Sequence, residues 1–200
     1  MGLASECEND DVNSVNLKQS ELYLKSAASG NPFSLHSLGL LCDNGQLSET
    51  EMNGALNILR NLRQENPFLN EIEAISKSSS NPVYAQHLGR ALWFEASMSG
   101  NRISQRALGD SLMAEYTNIE DGMKLEEYAE ELVILATTFF AMASQQGDEV
   151  AKDSLSRVME MECSRQERKG VDPRSEEFFS KPVVKTALIS LVPIEQRIEA

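Results

Sequence analysis

The sequence predicts an all-α protein built as a stack of antiparallel helix pairs. Asn-Pro-Phe occurs at residues 31–33 and 66–68, and the same interval of 35 residues leads on to Asn101 and Ile103. A fixed period of this length is typical of stacked two-helix units, because one unit alone cannot bury its apolar face. No run of alternating apolar and polar residues competes with this pattern, so we expect no β-sheet.

Two positions repeat around the junctions at Gly30, Glu65, Gly100 and Gly147. Seven residues before each junction position comes a large apolar residue, which predicts a ladder through the core: Tyr23, Ile58, Trp93 and Phe140. A leucine and a small residue follow most junctions, and the small residue predicts a close helix crossing. These pairs are Leu38 with Gly39, Leu108 with Gly109, and Leu155 with Ser156.

The junction residues place the helices in order. Gly30 is suited to the left-handed conformation that ends a helix, Asn31 to capping the next one, and Pro32 to its first turn. The polar stretch after Glu115 predicts a longer loop over residues 116–127. This loop places the start of the fourth unit later than the 35-residue period predicts. We therefore predict helices at 17–29, 32–43, 50–64, 67–77, 82–98, 102–115, 125–146 and 149–165.

Three regions follow from this pattern: an acidic tail at 1–14, helical repeats at 15–168 and C-terminal capping helices at 171–200. Pro173 and Pro182 signal two helix starts in the last region. A cap would cover the apolar face that the last repeat leaves open. A detachable partner-binding helix is the alternative interpretation of this segment.

Composition narrows the function classes. The 200 residues carry 31 acidic and 18 basic side chains, a net charge of −13, which disfavours nucleic acid and anionic membrane surfaces as partners. The three cysteines are far apart in sequence, so we expect a cytoplasmic or other reducing intracellular compartment. The first residues lack the basic start and apolar run of a secretion signal, and no apolar stretch is long enough to predict a membrane span.

The repeated stretches resemble Sel1-like repeats, a family related to tetratricopeptide repeats. "LYLKSAASGNPFSLHSLGLLCDNG", "LWFEASMSGNRISQRALGDSL" and "FFAMASQQGDEVAKDSL" each join a helix rich in alanine through a Gly-Asn or Gly-Asp step to a second helix. The resemblance extends over residues 15–165. It implies a right-handed α-solenoid of antiparallel helix pairs that holds other proteins together.

The family's groove positions, carried over by their offset from the Leu-Gly pair, imply a concave surface. It would present Phe33, His36, Leu40 and Asp43 in the first unit, Ile103, Arg106, Asp110 and Met113 in the third, and Val150, Asp153, Arg157 and Glu160 in the fourth. The apolar residue at the start of each set is also compatible with the core. As partner-binding residues we therefore predict His36, Arg106, Asp110, Asp153 and Arg157, and we expect both arginines to reach solvent.

Catalytic patterns are missing from the sequence. His36 and His87 have no cysteine or carboxylate at a ligand spacing, so we expect no metal site. Glycine-rich phosphate loops and a Gly-x-Ser-x-Gly elbow are absent as well. We expect no catalytic residue, no cofactor and no small-molecule ligand, and therefore not an enzyme.

The leading functional hypothesis is an intracellular scaffold or adaptor for protein–protein interaction, such as a subunit or assembly factor of a larger complex. A second hypothesis is a chaperone-like escort whose groove accepts a helical or extended client segment, for which flexible methionines would be suited. A third is RNA binding, since pentatricopeptide repeats share the 35-residue period. The acidic charge disfavours this third hypothesis.

Overall fold

The structure, a computed structural model, describes four stretches of the chain: residues 19–62, 66–75, 82–119 and 126–191. Over these stretches the protein is helical and contains no strand, as the sequence predicts. The helices belong to two compact units, residues 1–101 and 102–200. The predicted acidic tail at 1–14 and the last part of the predicted cap, 192–200, lie outside the described residues.

The observed helices follow the predicted order. The first unit contains α1 over residues 19–27, α2 (Pro32–Asp43), α3 (Glu49–Leu62), α4 (Pro67–Ala74) and α5 (Pro82–Met98). The second contains α6 (Arg102–Asn118), α7 (Glu126–Gln145), α8 (Glu149–Arg168), α9 (Glu176–Ser180) and α10 (Pro182–Leu191). One difference is that α6 continues to Asn118, so the first residues of the loop predicted at 116–127 are helical. Residues 120–125 of that loop lie outside the described residues.

The helix junctions have the predicted geometry. Gly30 has φ +80°, and its N–H and that of Asn31 donate to C=O groups three and five positions earlier, at 2.8 and 3.4 Å. The side-chain oxygen of Asn31 accepts the N–H groups two and three positions later, at 3.0 and 3.1 Å. Gly100 and Gly147 also have positive φ, +88° and +81°. These junctions therefore end one helix and cap the next within a few residues.

Trp93 joins α5 to α2 in the first unit. Its indole ring lies over Gly39, where a Cβ atom would be 2.4 Å from Nε1, and its N–H donates to the C=O of His36 at 3.3 Å. As a result α2 packs mainly on α5. The repeat pattern pairs helices that follow one another in sequence, whereas α2 and α5 are separated by two helices.

Hydrogen bonds and an aromatic contact attach α4 to α5. Asn66 caps α4, and its Nδ2 donates to the C=O of Ala91 at 2.9 Å and to Oε1 of Glu95 at 3.0 Å. The rings of Phe68 and Phe94 meet edge to face, with centroids 5.8 Å apart. The predicted junction at Asn66 is therefore present, although its repeat is the most divergent in sequence.

Glu51 links the start of α3 to α1. Its carboxylate accepts the backbone N–H of Ser48 at 2.7 Å, closing a capping box, and it also accepts the hydroxyl of Ser20. Burial by itself raises the pKa of Glu51. The hydrogen bonds from Ser20 and Ser48 lower the pKa by more than burial raises it, so it lies below the usual value of 4.5.

The second unit repeats the close crossing of the first. Phe140 of α7 lies over Gly109 of α6, where a Cβ atom would be 2.6 Å from the ring. The helix α7 also packs against α8, and α10 covers both. Val183 and Val184 of α10 are buried, so this helix packs with an apolar face against the unit.

Two expectations about the core are only partly met. Trp93 and Phe140 are buried, but Tyr23 and Ile58 are half-buried, so the predicted ladder is a core feature in two of its four positions. Ser156 is exposed, and no close crossing forms there. The reason is that α8 buries Leu155 and Val158, whereas Ser156 points away from that face.

Candidate functional site: a pocket between α6 and α8

Two helices of the second unit flank a pocket. Both α6 and α8 pack on α7, and the pocket between them has a volume of about 220 Å³. Phe140 and Val158 are buried and form its floor. Met113 and Met161 are half-buried and form its walls. We call this cavity the α6–α8 pocket.

Polar groups lie at its edges. Asp110 stands on the α6 side, and Ser154 and Arg157 stand on the α8 side. Asp110 and Arg157 are exposed, and within the described part of the chain neither makes a hydrogen bond or an ion pair. The pocket therefore has an apolar floor and opposite charges on its two sides.

The carboxyl group of Asp110 is perturbed by its surroundings. Partial burial raises its pKa, the nearby guanidinium of Arg106 opposes this effect, and the negative charge of Asp148 adds to it. The pKa of Asp110 therefore lies above its usual value of 3.8.

Arg106 has a different environment from the predicted one. Its Nη1 lies 3.1 and 3.0 Å from the two carboxylate oxygens of Asp148, and the side chains are 30% and 6% exposed. Asp148 is also the N-cap of α8, since its Oδ1 accepts the N–H of Ala151 at 3.0 Å. Arg106 therefore reaches solvent only in part, because the buried carboxylate of Asp148 holds it. This arginine connects α6 to the first turn of α8.

The other predicted site residues lie away from the pocket lining. Asp153 is exposed on α8, beside Ser154. His36 belongs to the first unit, where it is half-buried on α2. Of the five predicted residues, the structure thus brings Asp110 and Arg157 to one pocket and places Arg106 one helical turn from Asp110.

The apolar residues at the start of the predicted groove sets are on the surface. Phe33, Ile103 and Val150 are 68%, 40% and 56% exposed, so the core interpretation is wrong for all three. Ile103 and Val150 precede Asp110 and Arg157 by seven residues, which is two turns along the same helix face. They extend the apolar surface towards the N-terminal ends of α6 and α8.

Sequence reasoning did not identify Ser154 or Val158 as pocket residues, nor Asp148 as the partner of Arg106. The capping position of Asp148 was visible as a repeat junction. Its ion pair spans 42 residues and depends on how α6 and α8 both pack on α7. A one-dimensional pattern carries no signal for such a contact.

Two free cysteines, Cys42 and Cys163, lie in the described part of the chain. Burial, together with the charges of Asp43 and Glu51, raises the pKa of Cys42 to about 12, so this cysteine is a neutral thiol at pH 7. Burial and nearby glutamates also raise the pKa of Cys163. Among the described residues no group of three or more His, Cys, Asp and Glu side chains is placed to hold a metal ion.

None of the described helices has both the length and the apolar character needed to cross a bilayer. Comparisons with protein-family models, curated proteins and solved structures give no match to this chain.

Proposed function

We propose that this protein is a non-enzymatic scaffold or adaptor, and that its second unit binds a segment of a protein partner in the α6–α8 pocket. In this proposal the helices form a right-handed solenoid of Sel1-like repeats inside the cell. The observation that carries the proposal is an open pocket with an apolar floor, formed by Phe140 and Val158, and charged groups at both edges. Binding sites are usually apolar pockets with a few polar groups around them.

The size of the pocket favours a protein partner over a cofactor. Its volume of about 220 Å³ exceeds the roughly 150 Å³ of an apolar cavity that holds benzene. It is smaller than the about 300–1,000 Å³ of clefts that hold drug-sized ligands. One large apolar side chain fits this volume, and the exposed Ile103 and Val150 offer contact area for the residues beside it.

Filling the pocket tests the proposal. A library of displayed random peptides would be selected for binding to the full-length protein. The dissociation constants of the best binders would then be measured by fluorescence anisotropy. Ser154→Phe places a ring in the pocket and should abolish binding. Ser156→Phe makes the same change on an exposed face of α8, outside the pocket, and should leave binding unchanged.

Two results would contradict the proposal: selection that yields no binder, or binders that the two variants retain equally well. Circular dichroism of both variants checks that α8 remains helical. A retention assay with single-stranded RNA addresses the RNA-binding hypothesis, for which we expect no binding because the chain carries a net charge of −13.

The escort function is the second candidate, and Met113 and Met161 favour it. Methionine side chains are flexible, and a pocket lined by them can adapt to different apolar residues. An escort should accept peptides with Leu, Met or Phe at the anchor position with similar affinity. A dedicated adaptor should discriminate among them.

A further inference from the structure

We infer that the α6–α8 pocket selects a segment in which one apolar residue lies between a basic and an acidic residue. The basic residue would meet Asp110 on α6, and the acidic residue would meet Arg157 on α8. This inference rests on the proposed function and specifies the chemistry of the partner.

Arg106, the cation beside Asp110, is already paired within the protein. Arg106 is close enough to lower the pKa of Asp110, but its Nη1 contacts both carboxylate oxygens of Asp148. Asp148 is committed in turn, because it caps α8. The internal pair therefore uses the cation nearest to Asp110 in sequence and leaves the carboxylate of Asp110 for a partner.

Binding at the pocket would desolvate the charged groups at its edges. An apolar side chain that enters the pocket displaces water from the floor and from the charged groups at the edges. A charge that loses water without gaining an opposite charge or hydrogen bonds disfavours binding. Neither Asp110 nor Arg157 makes a hydrogen bond or an ion pair within the described part of the chain, so the partner has to supply both of these contacts.

The positions of the two charged side chains define the charges that a partner should carry. Asp110 and Arg157 lie on different helices, with Phe140 and Val158 between the two sides. A partner with two basic residues would place one of them beside Arg157, and a partner with two acidic residues would place one beside Asp110. Like charges at such contacts oppose binding, so the arrangement favours one cation and one anion around the anchor.

Short fluorescein-labelled peptides with a central leucine in a Gly/Ser background test the inference. The flanking positions carry Lys and Glu in either order, two Lys, two Glu or two Ser. For the full-length protein we expect one Lys/Glu order to bind about tenfold more tightly than the Ser/Ser peptide. Asp110→Lys should shift the preference to the peptide with two Glu, and Arg157→Glu should shift it to the peptide with two Lys.

A matched control separates local from overall charge. Glu131→Lys changes the net charge as much as Asp110→Lys does, but Glu131 is exposed on α7 and does not line the pocket. The inference is contradicted if Glu131→Lys alters the peptide preference as much as Asp110→Lys, or if wild-type protein binds all charge patterns equally. In both cases, loss of peptide binding in a Ser154→Phe variant would still support the proposed function, because it would show that peptides bind in the pocket. Loss of the proposed function would instead appear as a wild-type protein that binds none of these peptides.

Discussion

At the scale of single residues, the fold depends on large side chains that lie over glycines. Trp93 over Gly39 and Phe140 over Gly109 are equivalent arrangements in the two units, and both aromatic residues are buried. The sequence predicted that these aromatic residues belong to the core and that these glycines mark close crossings. It did not predict which aromatic residue meets which glycine, because that depends on packing between helices far apart in sequence.

Gly39→Ala tests the contact with Trp93. The new methyl group would lie 2.4 Å from the indole nitrogen, and the buried ring would have to move. We expect the free energy of unfolding, measured by urea denaturation, to fall by about 1–3 kcal/mol, as in other overpacked cores.

Gly54→Ala is the matched control for this substitution. It is also a glycine within a helix of the first unit, but its added Cβ would lie 3.5 Å from Leu24, an ordinary contact. We expect no loss of stability and a gain of up to about 1 kcal/mol from helix propensity. Equal effects of the two substitutions would show that Trp93 does not constrain position 39.

At the scale of helices, the boundaries were predictable and the pairing was not. Helix ends depend on short signals such as Gly30 followed by Asn31 and Pro32, and the structure places those ends within three residues of the predicted ones. The packing of α2 on α5 depends instead on the match between Gly39 and Trp93. The candidate site shows the same limit. The repeat offsets indicated Asp110 and Arg157, but they gave no sign of the nearby ion pair between Arg106 and Asp148.

Arg106→Ala tests the connection between α6 and α8. The substitution removes the guanidinium nitrogen that donates to both carboxylate oxygens of Asp148 and leaves a buried carboxylate at the start of α8. We expect the free energy of unfolding to fall by about 1–3 kcal/mol, as for hydrogen bonds to charged groups. Arg157→Ala, at an exposed position without an ion pair in the described region, should change it by less than about 0.5 kcal/mol.

Thermal unfolding followed by circular dichroism distinguishes the two arginine variants. A third variant, Asp148→Asn, keeps an oxygen that can cap α8 but removes the negative charge, so it should fall between them. If Arg106→Ala and Arg157→Ala had the same small effect, the ion pair with Asp148 would not stabilise the helix start.

At the scale of the whole molecule, each unit has its own apolar core. Leu88 and Trp93 are buried in the first unit, and Leu108, Phe140 and Leu155 are buried in the second. The net charge of −13 disfavours polyanions as partners. The residues that line the α6–α8 pocket lie entirely in the second unit, so the proposed recognition by this pocket can be tested without the first unit.

The second unit should therefore fold and bind when it is expressed as residues 102–200. Its helices α6, α7, α8 and α10 surround a shared core, and this range contains every residue that lines the α6–α8 pocket. We expect a helical circular-dichroism spectrum, one cooperative thermal transition and the same peptide preference as the full chain. Residues 1–101, which lack the pocket, should show no binding to the same peptides. A fragment 102–200 that melts without cooperativity would contradict the view that this unit has a complete core, while a folded fragment that binds no peptide would place recognition elsewhere in the chain.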